Sequence, residues 1–209
     1  MKRNETSHAI LRDAEIAQHS ELKGDYREII LNCPDLAALV APGQFAHIRI
    51  PRLHHRILRR PFSIFKAENG YLVIIYKCVG VGTDILAQAA TGEILSVLGP
   101  LGNGFPHPKT GSVPVLVGGG YGAAALYMTA QRSARKGIVG LGGSGRDDLL
   151  CIDDFETLGW DVRVATEDGS LGEKGLVTEA LDDWLAGEDS AADIEFFACG
   201  PHGMLKAVG

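Results

Sequence analysis

Apolar and polar positions in the first hundred residues alternate over short distances and form no long helical stripe. Glu28-Ile29-Ile30-Leu31 and Gln44-Phe45-Ala46-His47-Ile48-Arg49-Ile50 are bounded by Pro34, Pro42-Gly43 and Pro51. Short runs punctuated in this way predict strands. Residues 62–65 and 71–76 flank Asn69-Gly70, a dipeptide that accepts the left-handed backbone of a tight hairpin. One helix is predicted here, over residues 83–90, with Gly82 or Thr83 as its cap and Gly92 past its end. Several short strands with turn signals predict a small barrel or sandwich.

The second half has a different rhythm. Residues 113–117 are an apolar strand that runs into glycines. Residues 123–135 are helical in composition and are stopped by Gly137. Residues 138–141, 161–165 and 194–198 read as further strands, and 178–185 as an amphipathic helix. Strands alternating with helices predict a parallel sheet with crossovers. The rhythm changes near residues 106–111, which divides the chain into a β-barrel domain, 1–108, and an α/β domain, 109–209.

Composition narrows the function classes. The chain has 209 residues, 45% hydrophobic and 22% charged, enough to bury a core. A net charge of -6 argues against a nucleic-acid surface. The one basic run holds Arg52, Arg56, Arg59 and Arg60 with His54 and His55 among them. It reads either as a solvated loop or as a segment whose last residue, Arg60, faces a phosphate. No apolar run reaches the ~18 residues of a membrane span, and the N-terminus lacks a signal-peptide core. The expected partners exclude membranes, and the expected location is the cytoplasm. The four cysteines, Cys33, Cys78, Cys151 and Cys199, show no C-x-x-C spacing, so no zinc or iron–sulfur loop can be drawn locally.

Four segments could carry chemistry. In Val117-Gly118-Gly119-Gly120-Tyr121-Gly122, glycines join a strand to a helix, where backbone N–H groups and the helix dipole favour a diphosphate. The same glycines also suit a purely structural turn. Gly80-Val81-Gly82-Thr83 repeats that arrangement and leaves the same two readings open. Arg60-Pro61-Phe62-Ser63 combines a bidentate phosphate ligand, a fixed turn, an aromatic face and a hydroxyl able to bond a ring nitrogen. Read blandly, it is a strand start with Phe62 in the core. Cys199-Gly200-Pro201 ends a strand at the carboxyl edge of the sheet, where α/β folds bind ligands. Cys199 is either a neighbour of a bound ring or a small buried apolar residue.

Taken in order, these segments resemble the ferredoxin–NADP reductase superfamily. With Tyr76-Lys77-Cys78-Val79 ahead of Gly80, Gly99-Pro100-Leu101-Gly102-Asn103-Gly104-Phe105, Ala165-Thr166-Glu167-Asp168-Gly169-Ser170 and Lys174-Gly175-Leu176-Val177-Thr178, the chain is similar to the electron-transfer subunit of two-subunit, NAD-linked dihydroorotate dehydrogenases. The resemblance implies an FAD-binding antiparallel β-barrel followed by a parallel-sheet NAD(P)-binding domain. It implies that Arg60 holds the FAD diphosphate beside Pro61, that Phe62 lies against the flavin, and that Ser63 bonds near its N5. Lys77, Gly80, Gly82 and Thr83 would complete the FAD site. Gly118, Gly119, Gly120 and Gly122 would take the nicotinamide nucleotide, with Cys199, Gly200 and Pro201 flanking the place of hydride transfer. Ser63 and Cys199 are thus the implied catalytic residues. Glu167 and Asp168 fall in a loop near that cleft. The subfamily likeness favours NAD, while Ser144 and Arg146, which follow the second strand where NADPH-using members place groups for the 2′-phosphate, leave NADP open.

The implied function is an FAD-dependent oxidoreductase subunit of pyrimidine biosynthesis, working in a hetero-oligomer with a dihydroorotate dehydrogenase catalytic subunit. The family also carries a [2Fe–2S] cluster on a cysteine-rich segment beyond this point. The present chain stops at Gly209 without those ligands, either because it is truncated or because it belongs to a branch without the cluster. Two alternatives remain. One is a stand-alone NAD(P)H:acceptor reductase, or the flavin subunit of a hydrogenase- or sulfide-type complex. The other is a non-catalytic interaction subunit that lost its cofactor.

Overall fold

A computed structural model describes residues 8–52, 58–186 and 193–209. His54, His55 and Arg56 of the basic run lie outside the described residues. The chain separates into two compact units, Met1–Gly104 and Phe105–Gly209.

The first unit is antiparallel. Its strands are β1 (Ile10–Glu21), β2 (Tyr26–Asn32), β3 (Phe45–Ile48), β4 (Arg60–Ser63), β5 (Lys66–Glu68), β6 (Tyr71–Lys77) and β7 (Ile94–Leu101). They form one seven-stranded sheet in the order β4-β3-β7-β1-β2-β6-β5. β4 and β5 occupy opposite edges, yet only Ile64 and Phe65 separate them in sequence. Laid flat, six strand spacings would place the edges about 29 Å apart. The chain from Ser63 to Lys66 can span only about 11 Å. The sheet must therefore curl until its edges meet, and the Phe62 and Tyr76 rings touch across the junction, 5.6 Å apart. Inside lie Ile16, Ile29, Leu31, Ile48, Leu72, Ile74 and Val97, each fully buried.

Local chemistry explains the turns. Asn69 (φ 52°) and Gly70 (φ 82°) both take left-handed backbone, so β5 and β6 pair Glu68 with Tyr71 across a two-residue hairpin. Pro34 opens the single-turn helix α1 (Pro34–Ala37), where its missing N–H costs nothing. The helix expected over 83–90 begins earlier and ends sooner, as α2 (Val81–Leu86), followed by tight turns through Ala89. β4 also starts earlier than expected, at Arg60, and the chain then bends at Phe65 into β5.

The second unit is a five-stranded parallel sheet in the order β11-β10-β9-β8-β12. Its strands are β8 (Val113–Gly119), β9 (Ile138–Gly143), β10 (Asp161–Thr166), β11 (Glu173–Lys174) and β12 (Ile194–Cys199). The connections carry α3 (Gly122–Arg132), α4 (Ile152–Thr157) and α5 (Val177–Leu185), and α6 (His202–Val208) follows β12. Side-chain alternation assigns the faces. Val115, Val117 and Ala165 cluster with Val177, Leu181 and Trp184 of α5. Gly118, on the opposite pleat, lies against Ala123 of α3 and Leu141 of β9. Burying each such large apolar side chain contributes about 1.5–3 kcal/mol. From β8 the chain winds outward through β9 to β11 and then returns to the other side of β8 as β12. That reversal puts the topological switch point between β8 and β12, at the strand ends where open α/β sheets bind ligands.

Candidate functional site

In the barrel, two segments that are distant in sequence meet. Arg60 opens the edge strand β4, and Gly82 sits in the first turn of α2. A Cβ on Gly82 would lie 3.5 Å from Nε of Arg60 and 4.0 Å from Cγ1 of Ile50. The guanidinium donates to the Leu58 carbonyl at 3.3 Å, and no carboxylate pairs with it among the described residues. Helix geometry leaves the first N–H groups of α2 without intrahelical acceptors, at the positive end of its dipole. Arg60 and this helix start therefore make one cationic cradle suited to a diphosphate.

The Thr83 hydroxyl organises that turn from within. It accepts from the N–H groups of Val79 (2.9 Å) and Gly80 (3.2 Å) and donates to the Gly80 carbonyl (2.8 Å). A Cβ on Gly80 would meet nothing within 4 Å, so this glycine borders open space. Ser63 pairs with Phe45 of β3, and its hydroxyl has no partner among the described residues. Pro61, exposed, pairs with His47. Phe62 is 7% exposed and meets Tyr76 edge-on. Lys77 sets its ammonium 4.9 Å from the Tyr26 ring centre.

In the parallel sheet, the glycine turn and the Cys199 segment converge at the switch point. Cys199 is in register with Gly118 on the neighbouring strand. A Cβ on Gly122 would strike the Cys199 carbonyl group, and one on Gly119 would come 2.7 Å from Cδ of Pro201 and 2.9 Å from Sδ of Met204. A Cβ on Gly118 would come 2.9 Å from Cα of Ala123. These three glycines let β8, α3 and the 199–204 segment pack closely. Gly120 takes left-handed backbone (φ 54°) and bonds the Gly142 carbonyl at 3.0 Å, which makes the turn itself. Gly200 is equally confined, against Met204 and the Gly119 backbone. Burial pushes the Cys199 thiol above its ordinary value, so it stays neutral at physiological pH.

A second polar group lines the carboxyl edge of β9 and β10. Ser144 donates to Glu167 at 3.2 Å, and the Arg146 guanidinium donates to the Ser170 carbonyl at 3.1 Å. Hydrogen bonds from Ser170 hold the Asp168 carboxyl below the usual range. Both Ser144 and Arg146 are thus engaged by the 167–170 loop. No cluster of three or more metal-ligating side chains occurs among the described residues.

Sequence reasoning missed Gln44 and His19. Gln44, 7% exposed, accepts from the Ala41 N–H at 2.8 Å and donates to the Gly102 carbonyl at 3.0 Å. Its own carbonyl accepts from Ile64, next to Ser63. His19 bonds Tyr76 and Ala89. A lone Gln after Pro-Gly and a lone His in a polar strand give no local signal of such long-range bonds.

No family model matches the chain. Individual proteins do. The dihydroorotate dehydrogenase B (NAD(+)) electron transfer subunit of Desulforamulus reducens is 37% identical over 182 residues, covering 85% of this chain and 68% of that protein. The same subunit from Bacillus pumilus is 36% identical over 209 residues, covering 95% of this chain and 75% of that one. The chain belongs to the dihydroorotate dehydrogenase B electron transfer subunit family.

Among solved structures, the NADH-dependent reduced ferredoxin-NADP oxidoreductase of flavin-based electron bifurcation matches with a TM-score of 0.79 and 33% identity, over 92% of this chain and 69% of that one. Phthalate dioxygenase reductase matches with a TM-score of 0.72 and 21% identity, over 95% and 63%, which is a likeness of fold. Membership in the electron transfer subunit family agrees with the oxidoreductase class and with the barrel-plus-parallel-sheet architecture expected from the sequence. No helix among the described residues is long and apolar enough to cross a membrane.

Proposed function

We propose that this chain is an FAD-dependent oxidoreductase subunit that exchanges electrons with NAD and serves a dihydroorotate dehydrogenase catalytic subunit. The observation that carries the reading is the meeting of Arg60 with Gly82 at the start of α2, in a chain of this family. The Arg60 guanidinium, which no carboxylate pairs among the described residues, the N–H groups of α2 and the open side of Gly80 fit a diphosphate. Bound FAD would supply the ability to take two electrons together and release them singly.

The chain's own residues divide the remaining work. Arg60 neutralises the diphosphate, with Pro61 fixing its strand. Gly80 and Gly82 keep side chains off the cradle while Thr83 fixes its shape. Phe62, braced by Tyr76, forms an apolar wall, and the Ser63 hydroxyl, without a partner among the described residues, is available to the flavin ring. Lys77, stacked on Tyr26, adds positive charge at the end of β6. In the second unit, the turn from Gly118 through Gly120 to Gly122 lets the nicotinamide nucleotide approach backbone N–H groups. Cys199, Gly200 and Pro201 border the switch point with small, uncharged groups, beside which the nicotinamide ring would lie. The relatives' names, which specify NAD(+), support NAD as the nucleotide.

Titrating the apoprotein with FAD, followed by quenching of flavin fluorescence, tests the reading. Saturable one-to-one uptake is the expected result, with co-purification of the catalytic subunit when the two are expressed together. Absence of saturable FAD binding overturns it.

A further inference from the structure

Tyr76 carries a hydroxyl that the reading above leaves unused. The residue is 3% exposed, and its phenolic oxygen lies 2.9 Å from Nε2 of His19. Among the described residues this nitrogen is the hydroxyl's partner. The other ring nitrogen, Nδ1, lies 2.8 Å from the Ala89 carbonyl. A carbonyl only accepts, so Nδ1 carries the proton and donates it. In the neutral imidazole Nε2 is then the acceptor of the Tyr76 O–H. Burial raises the pKa of the phenol, which keeps that O–H in place.

These two bonds join elements that the sequence keeps apart. His19 lies on β1, and Tyr76 lies on β6 just ahead of the 80–83 turn. Ala89 lies in the turns that follow α2. The imidazole therefore ties both flanks of that turn together. Through Tyr76 it also reaches β4, because the Tyr76 ring meets Phe62 edge-on. Phe62 sits between Pro61 and Ser63, in the same strand as Arg60. One side chain thus braces both barrel segments assigned to FAD.

We propose that His19 is a positioning residue for the flavin: its bonds to Ala89 and Tyr76 fix the 80–83 turn relative to the Phe62 ring before FAD arrives. The inference rests on the reading of the barrel as an FAD site. His19 acts through Tyr76 and α2 and makes no contact of its own with the cofactor.

Three full-length single variants and the His19→Asn/Tyr76→Phe double variant test it. Tyr76→Phe deletes the hydroxyl and keeps the ring. His19→Asn keeps a donor within reach of Ala89 and removes the partner of Tyr76. His19→Leu removes both bonds. Each is titrated with FAD by fluorescence quenching, and the visible absorption and circular dichroism of the bound flavin are recorded at saturation. His19→Leu is expected to weaken FAD binding about tenfold. His19→Asn and Tyr76→Phe should each weaken it by a smaller, similar factor, and the double variant by no more than either alone. The bound-flavin spectrum should change in all of them. If His19→Leu does not fold, the other two variants decide the matter. Wild-type FAD affinity and spectrum in the variants, with only a lower melting temperature, overturn the inference and leave His19 as a strut of the barrel. A wild-type chain that takes up no FAD overturns the underlying reading as well.

Discussion

Arg60 leaves the edge of the barrel with its guanidinium held only by the Leu58 carbonyl among the described residues, beside a helix start that lacks acceptors for its own N–H groups. Removing that charge should weaken FAD binding more than any neutral change nearby. Arg60→Ala is expected to cost about 1.5–3 kcal/mol, since a charge-assisted contact is lost, and the FAD titration would report it as roughly a ten- to hundredfold weaker constant. Ser63→Ala should leave FAD bound and slow the reduction of that FAD by NADH, measured by stopped-flow absorbance. Unchanged reduction removes Ser63 from the mechanism. At this scale the sequence was readable where unlike chemistries stood side by side, as in Arg60-Pro61-Phe62-Ser63. The approach of Arg60 to Gly82 was not readable, because it depends on closure of the barrel. The engagement of the Thr83 hydroxyl by its own turn was not readable either, since Thr83 reads equally well as a ligand or a cap.

Among the elements, the glycine turn shows how packing and binding share residues. Gly122 has no room for a Cβ against the Cys199 carbonyl group, whereas Gly203 in α6 would meet nothing within 4 Å. Gly122→Ala should therefore destabilise the chain by about 2 kcal/mol or more, as overpacking against backbone does. Gly203→Ala should be neutral or stabilise by about 0.5 kcal/mol through helix propensity. Urea unfolding of the two variants checks both signs. Strands with an apolar core, β2, β6, β8 and β9, stood out in the sequence. β1 did not, because only Ala14 and Ile16 of its twelve residues are buried, and pairing to β2 and β7 holds it. β7 was hidden by Gly99-Pro100 near its end, a breaker signal that normally argues against a central strand. The short α4 and α6 carry too few periodic positions to announce themselves.

For the whole molecule, the change of rhythm from short punctuated runs to alternating strands and helices foretold an antiparallel barrel and a parallel sheet. Stability should follow pH in a way set by burial. Cys33, Cys78, Cys199 and Tyr76 are all raised by burial, so the folded state keeps their protons while the unfolded chain releases them. Their contribution is therefore complete below about pH 9 and declines as pH rises through the raised values. The melting temperature should fall above that point, and less steeply in Cys199→Ala. Asp168 has the opposite sign: its lowered carboxyl supports the fold above the ordinary carboxylate range and stops doing so as pH falls below it.

The most direct test of the account is an anaerobic absorbance titration of the FAD-loaded protein with NADH. Bleaching of the flavin bands in proportion to added NADH is the predicted result, because one chain carries both the proposed flavin cradle and the proposed nucleotide turn. An FAD-loaded protein whose spectrum NADH leaves unchanged would contradict it.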